Sequence, residues 1–130
     1  MEKTIIRTYH DLLIWKKAID LVAMIYLHTK NFPNEETYGL KLQIRKCAVS
    51  IPSNIAEGYG RNSTNDYIRF LKISMGSLFE LETQLYIAFN LEYIAKENYE
   101  KINENCKEIE RMLSSLIKKL KLNHQNMTRS

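Results

Sequence analysis

Hydrophobic residues recur along this chain at steps of three and four, the spacing that places side chains on one face of an α-helix. The pattern fills four segments separated by short polar stretches. In chain order, the stripe positions are Leu12, Trp15, Ile19, Val22 and Tyr26; Leu40, Ile44, Cys47, Ile51 and Ile55; Tyr67, Leu71, Ser74, Leu78, Leu81, Leu85 and Ala88; and Tyr99, Ile102, Cys106, Ile109, Leu113, Leu116 and Leu120. The pattern predicts four amphipathic helices that pack at shallow crossing angles.

Local signals set the predicted helix ends. Asp11 is expected to cap the first helix, which should end before Pro33, because proline disfavours helical backbone in the residue before it. Glu35 and Glu36 fall in the first turn of the second helix, where negative charge suits the helix dipole. Ser63 is expected to cap the third helix. The predicted helices lie near residues 11–30, 35–60, 63–91 and 96–122, and a frayed polar tail follows over 123–130.

Pro52 lies inside the second predicted helix. A proline there removes one backbone donor and crowds the carbonyl four residues back, so a kink is expected. A break into two helices is the alternative. Ser53 and Asn54 flank the proline and are placed to satisfy the freed groups, and Gly58-Tyr59-Gly60 is expected to end the helix.

Four such helices with short connections predict one all-α domain, an antiparallel up-down-up-down four-helix bundle spanning residues 1–130. The chain of 130 residues is long enough to bury a core without disulfides or metals. Only four glycines and two prolines are present, too few for the turns of a β-sandwich.

Positive charge is unevenly distributed along the chain. The net charge is +4, yet residues 38–61 hold four Lys/Arg against one Glu, for +3, and residues 62–92 hold two against four acids, for −2. The basic stretch and the helix after it supply the candidate nucleic-acid contacts Lys41, Arg45, Lys46, Arg61, Arg69 and Lys72. The alternative is that these are solvated surface charges and intrahelical pairs, of which Glu57–Arg61 is an example.

Motifs for catalysis, cofactors and metals are not found in the sequence. It has no glycine-rich phosphate loop, no GxSxG and no HExxH, and none of His10, His28 and His124 follows a glutamate by three residues. Cys47 and Cys106 lie on apolar stripes and are expected to be buried thiols. With no secretory signal and no apolar run long enough to span a membrane, a reducing cytoplasmic setting is expected.

Two further features invite interpretation. Ser50, Asn54, Glu57 and Arg61 share a helix face beside Pro52, which indicates a structural hydrogen-bond network or a binding site; catalysis is disfavoured because no base lies nearby. Phe79, Tyr86 and Tyr93 recur every seven residues on the flank of the third helix, near Gly76-Ser77, and belong either to a wide core or to an oligomer contact.

Several segments carry a family resemblance. They are Tyr38-Gly39-Leu40, Gln43-Ile44-Arg45, Ser50-Ile51-Pro52-Ser53-Asn54-Ile55-Ala56-Glu57-Gly58, Gly60-Arg61, Phe70-Leu71, Gly76-Ser77-Leu78 and Glu80-Leu81-Glu82-Thr83-Gln84-Leu85. From about Asp11 to Leu120, the chain resembles the four-helix-bundle family encoded in intervening sequences of bacterial 23S rRNA genes. The central motif shows no departure from the family pattern.

The resemblance implies more than the residues do. The family is similar to the accessory variability determinant of diversity-generating retroelements, a ring-shaped pentamer that works with a reverse transcriptase and is associated with nucleic-acid binding through a basic surface. We therefore expect a non-enzymatic homo-oligomeric adaptor that forms a pentameric ring, with RNA, DNA or a reverse transcriptase as partner. The alternative is a protein-only scaffold that binds another polypeptide through exposed helix faces.

Overall fold

The computed structural model describes residues 5–129, with side chains described for residues 5–126. Its long helices are α1 (Leu13–Thr29), α2 (Leu40–Tyr59), α3 (Thr64–Asn90) and α4 (Lys96–Arg129), and two 3₁₀ turns span Tyr9–Asp11 and Asn34–Glu36. Between residues 5 and 129 there is no β-strand. The predicted all-α class is confirmed.

The four helices pack as an antiparallel bundle. α1 contacts α2 and α4, α3 contacts the same two helices, and α2–α3 is the most extensive interface. Contacts between α2 and α3 run in opposite chain directions: Cys47 with Glu80, Ser50 with Ser77, and Ile51 with Ser74. α2 and α3 are therefore antiparallel. The end of α1 likewise meets the start of α2 through Thr29 and Arg45, and the start of α3 lies beside the end of α4, as the short connections predicted.

The core is formed by one face of each helix. The stripes of α2, α3 and α4 are buried from Ile44 to Ile55, from Leu71 to Ala88 and from Ile102 to Leu113. The stripe predicted for α1 is only partly right: Leu12, Trp15 and Val22 pack half-buried against the core, but Ile19 and Tyr26 are exposed. The fully buried face is Ile14, Ala18, Leu21, Ile25 and Thr29. α1 is apolar around most of its circumference, so two overlapping stripes share the helical period and only packing selects between them.

Two predicted helix starts are wrong, because short turns precede the helices. The Asp11 carboxylate accepts hydrogen bonds from the backbone N–H of Arg7 at 2.9 Å and of Thr8 at 3.1 Å, so it closes a 3₁₀ turn. α1 then begins at Leu13. Glu36 likewise belongs to a separate turn, and its Oε1 accepts from the backbone N–H of Leu40 at 3.1 Å. The two backbone donors to Asp11 also lower the pKa of its carboxyl group.

α2 is continuous through Pro52, so the alternative of two helices does not occur. Ser53 Oγ donates to the Val49 carbonyl at 2.8 Å, and Asn54 Nδ2 donates to the Ser50 carbonyl at 2.8 Å. α2 ends at Tyr59, one residue beyond Gly58. A Cβ on Gly58 would lie 2.7 Å from that of Phe70, so glycine allows α2 and α3 to approach closely there.

The ends of α3 and α4 give one confirmed prediction and one wrong one. Ser63 caps α3 by accepting from the backbone N–H of Asp66 at 3.1 Å, as predicted. The frayed tail is wrong over the described residues, because α4 continues to Arg129. No glycine or proline interrupts this segment, so nothing local ends the helix. Among residues 5–129, no helix is both long and apolar enough to cross a membrane.

Candidate nucleic-acid interface

The polar residues of the central motif divide into two separate groups. Ser50 Oγ lies 2.8 Å from Ser77 Oγ, and Asn54 Nδ2 donates to Ser50 Oγ at 2.9 Å. This group bridges α2 and α3, and its hydrogen bonds stay within the bundle. Glu57 and Arg61 instead form a surface ion pair at 2.8 Å. The structural interpretation therefore has direct geometric support for Ser50 and Asn54.

Arg45, one of the predicted contacts, is held inside the α1–α2 interface. Its Nε donates to Thr29 Oγ1 at 2.9 Å, and Nη2 donates to the Tyr26 carbonyl at 3.2 Å. Its guanidinium also lies 4.3 Å from the centre of the Tyr26 ring. Thr29 in turn donates to the Ile25 carbonyl at 2.7 Å. Arg45 thus ties the end of α1 to the start of α2.

The six predicted basic contacts do not form one surface. Lys41 and Lys46 lie with Arg45 near the start of α2, whereas Arg61 follows its end. Twenty residues of helix separate Lys41 from Arg61, about 30 Å at the helical rise. Arg69 and Lys72, in the first turns of α3, belong to the same end of the bundle as Arg61 because α2 and α3 are antiparallel.

Arg61 and Arg69 both rest against Phe70. Their guanidinium carbons lie 4.6 and 4.5 Å from the centre of its ring. Each also has an acidic partner, since Arg61 pairs with Glu57 at 2.8 Å and Arg69 with Asp66 at 3.6 Å. These exposed pairs contribute little stability but partly neutralise the two arginines.

A groove of about 710 Å³ runs between the start of α3 and the end of α4. We call it the α3–α4 groove; its walls include Ile68, Arg69, Lys72, Ile73, Lys121 and His124. The surface inside it is mostly apolar, with the cationic groups placed along both helices. A volume of this size is typical of small-molecule sites.

The groove exists because α4 is longer than α1 and extends past its start. Lys17 pairs with Glu108 at 3.1 Å, and Asn105 Nδ2 lies 2.9 Å from Met24 Sδ, which sets the α1–α4 register. In that register, Leu13 at the start of α1 lies level with the turn from Met112 to Leu116 of α4. The last turns of α4 consequently pack beside α3 without support from α1, and one side of the contact stays open.

The electrostatics of the groove are set by two lysines. Lys121 lies close to Lys72. Their side-chain contact is the largest cause, and the repulsion between their charges the second, of a lowered pKa of Lys121. Residues 111–129 contain five Lys/Arg and no Asp or Glu. Two ammonium groups on the walls of a groove whose described lining has no acidic side chain favour the binding of an anion.

The middle of α4 differs, because Lys107 is paired with carboxylates. Lys107 Nζ lies 2.8 Å from Glu82 Oε1 and 3.4 Å from Glu110 Oε2. These carboxylates, Glu82 first, raise the pKa of Lys107, the opposite direction from Lys121. The charge of Lys107 is therefore balanced by carboxylates, whereas Lys121 lies beside another cation.

The cysteines are protonated, buried groups. Burial raises the pKa of Cys106 to about 12 and that of Cys47 to about 11. Cys47 Sγ also donates to Glu80 Oε2 at 3.2 Å, which adds to the rise. Neither thiol has the lowered pKa that a nucleophile needs. Within the described part of the chain, no cluster of three His, Cys, Asp or Glu is arranged to hold a metal.

The predicted aromatic stripe is reduced to two residues of α3. Phe79 and Tyr86 are 48% and 54% exposed on its outer face. Tyr93 is not on the helix: it follows Glu92, whose φ is 64°, and its hydroxyl donates to Glu36 Oε2 at 3.1 Å. Its ring also packs against Phe32, so Tyr93 joins the inter-helix loops of its own chain.

The sequence-based prediction included Lys72 and Arg69 but missed Lys121 and His124. His124 lay beyond the predicted end of the fourth helix at residue 122, and Lys121 was not paired with α3. One available signal was the complete lack of acidic residues after Glu110. The pairing with Lys72 needed the register of α3 against α4, which one sequence does not contain.

Comparison with known proteins agrees with this fold. Among curated proteins, none matches the chain. The chain is similar to a protein with unknown function from the S23 ribosomal protein family of Bacteroides thetaiotaomicron VPI-5482, whose crystal structure was solved at 1.70 Å resolution. The two sequences are 30% identical, and the two structures superpose with a TM-score of 0.74. The alignment covers 82% of this chain and 99% of that one. Residues 10–115 match the family described as 23S rRNA-intervening sequence protein, and the chain therefore belongs to that family.

Proposed function

We propose that this protein is a non-enzymatic binding bundle that contacts the phosphate backbone of RNA or DNA through the α3–α4 groove. The observation that carries the proposal is a groove lined by Lys72 from α3 and Lys121 from α4, whose described lining contains no acidic residue. A phosphate placed between the two ammonium groups would replace their repulsion with attraction.

The rest of the basic end supports this assignment. Lys118 and Lys119 lie on the same turns of α4 as Lys121, and both are exposed. Arg69 and Arg61 add charge from α3 and from the end of α2, although both are partly neutralised. Such a surface recognises charge more than sequence, because phosphates are common to every nucleotide.

A salt titration tests the proposal. Fluorescence anisotropy of end-labelled RNA and DNA oligonucleotides is measured against protein concentration at several sodium chloride concentrations. We expect binding that is nearly independent of sequence and that weakens linearly on a log–log plot against salt, because binding releases condensed counterions. No binding of either nucleic acid at low salt would overturn the proposal.

Self-association is a second proposal, favoured by the outer face of α3. Phe79 and Tyr86 are large, exposed aromatics, and a Cβ on the neighbouring Gly76 would have no atom within 4 Å. Packing within its own chain therefore does not require glycine at this position, whereas the close approach of a second chain would use it. A closed ring would repeat the α3–α4 groove and strengthen binding by multivalency.

Light scattering tests self-association, with Tyr86→Glu as the disrupting variant. A buried unpaired carboxylate is costly, so this variant should lower the molecular mass. Tyr38→Glu is the matched control, since Tyr38 is an exposed tyrosine outside α3, and it should leave the mass unchanged. A wild-type protein that is monomeric at high concentration contradicts the proposal.

A further inference from the structure

We infer that the α3–α4 groove receives an unpaired nucleotide of a single strand, with its phosphate at Lys72 and Lys121 and its base against Ile68 and Ile73. The inference rests on the proposed function and names its ligand class. It follows from the combination of two kinds of surface in one groove, cationic groups on both helices and an apolar floor between them.

Charge alone explains only the phosphate contact. The lysines are reached equally well by any nucleic-acid backbone, single- or double-stranded. Duplex DNA carries the higher charge density, so a purely electrostatic surface binds duplex at least as tightly as a single strand. A preference for single strands therefore requires a contribution that is not charge.

The apolar floor supplies that contribution. Ile73 is 42% exposed to solvent and lines the groove one residue after Lys72. In a duplex the base faces are stacked on each other and are not available to a protein side chain. In a single strand the bases can turn outward, so that an apolar side chain such as Ile73 can cover a base face and remove both surfaces from water.

The groove also has polar side chains suited to a base edge. Asn65 lines it at the start of α3, and an amide offers both a donor and an acceptor to a Watson–Crick edge. The volume of about 710 Å³ is of the size that holds a small ligand, and its open side lets the strand continue past the site.

The experiment compares one labelled DNA strand, chosen to lack self-complementarity, with the same strand annealed to its complement. Anisotropy titrations at one low salt concentration give both dissociation constants for the wild-type protein. We expect the single strand to bind roughly tenfold more tightly than the duplex, the scale expected from burying the exposed part of one isoleucine side chain.

A matched pair of variants locates the effect. Ile73→Ser should weaken single-strand binding roughly fivefold and leave duplex binding unchanged, because only the base loses its apolar contact. Ile19→Ser is the control: Ile19 is 40% exposed, close to the 42% of Ile73, and lies on α1 outside the groove. It should leave both dissociation constants unchanged.

The possible outcomes distinguish the unpaired-nucleotide site from the proposed function on which it rests. No binding of either strand form removes the proposed function. Binding of the duplex with equal or greater affinity keeps the proposed function and overturns the unpaired-nucleotide site. That site is also overturned if Ile73→Ser and Ile19→Ser, both folded by circular dichroism, bind the single strand equally.

Discussion

The two sides of α3 use polar residues in opposite ways. Toward α2, Ser74 Oγ donates to the Ile51 carbonyl at 2.9 Å, and Ser77 meets Ser50, so polar atoms find partners inside the bundle. Toward the end of α4, Lys72 and Lys121 line a groove whose described lining contains no acidic side chain. Internally satisfied groups stabilise the fold, whereas like charges held together favour an external partner.

The difference follows from how the neighbouring helices match in length. α2 and α3 are joined by a short loop and remain in contact from Gly58 and Phe70 to Cys47 and Glu80. The end of α4 has only α3 beside it, since α1 begins at Leu13. Close packing on one side and an open groove on the other are thus consequences of helix length.

The largest expected effect tests the core on which both sides of α3 depend. Leu78 is fully buried, so Leu78→Ala should lower the free energy of unfolding by about 2–5 kcal/mol, through reduced burial and the cavity left behind. Urea denaturation followed by circular dichroism measures it. Ile87→Ala is the control, since Ile87 is exposed on the same helix and should change stability by less than about 0.5 kcal/mol. A decrease below about 1 kcal/mol for Leu78→Ala would mean that the core is misassigned.

A smaller effect tests the α2 side. Ser74→Ala removes the donor to the Ile51 carbonyl, beside Pro52, and should cost about 1 kcal/mol of stability, the typical value for one hydrogen bond. Nucleic-acid binding should not change, because Ser74 is buried away from the groove. Weaker binding at unchanged stability would reverse the roles assigned to the two sides.

The buried thiols predict a stability that declines in alkali. The pKa of Cys106 is raised from 9.0 to about 12, and that of Cys47 from 9.0 to about 11, so the folded state retains protons that the unfolded state loses. Their contribution is complete below pH 9.0 and is lost as the pH rises toward these values. Denaturation midpoints measured from neutral to alkaline pH should fall, and less steeply in Cys106→Ala. A midpoint that rises over this range would contradict the burial of the thiols.

The smallest expected change in stability is for a substitution in α4, where it faces α3. Lys121→Gln removes one member of the repelling pair, so it should not lower the melting temperature, and any shift should be upward. Thermal unfolding at low salt measures the shift, and Lys107→Gln is the contrasting variant because it breaks the bridge to Glu82 and Glu110. A clear loss of stability in Lys121→Gln would show that Lys121 serves the fold.

The sequence predicted the buried face of a helix where one apolar stripe dominates, and did not predict it where two apolar stripes compete. In α2 the stripe from Ile44 to Ile55 alternates with polar residues, so periodicity identified the buried face. In α1 apolar residues fill two adjacent stripes, and burial of Ile14 and Ala18 is decided by the neighbouring helices. Hydrophobic periodicity alone does not determine which of the two stripes of α1 is buried.

The candidate site shows the same limit. The basic residues were visible as residue types, but their roles depend on partners far along the chain. Arg45 is engaged by Tyr26 and Thr29, sixteen or more residues away, whereas Lys72 meets Lys121 on another helix. Such pairings follow from helix register and length, which emerge only when the whole bundle is assembled.

Charge reversal at the two ends of the bundle tests the central claim most directly. Lys72→Glu with Lys121→Glu changes the net charge by the same amount as Lys41→Glu with Lys46→Glu, but at the opposite end. Single-strand binding is measured by anisotropy across a salt series for both double variants and the wild type. The groove variant should bind roughly a hundredfold more weakly at low salt and reduce the salt slope by about 2, one for each lysine that no longer neutralises a phosphate, while the other retains most of the wild-type affinity. Equal losses of affinity in the two variants would mean that net charge, rather than the α3–α4 groove, governs binding, and would contradict the account.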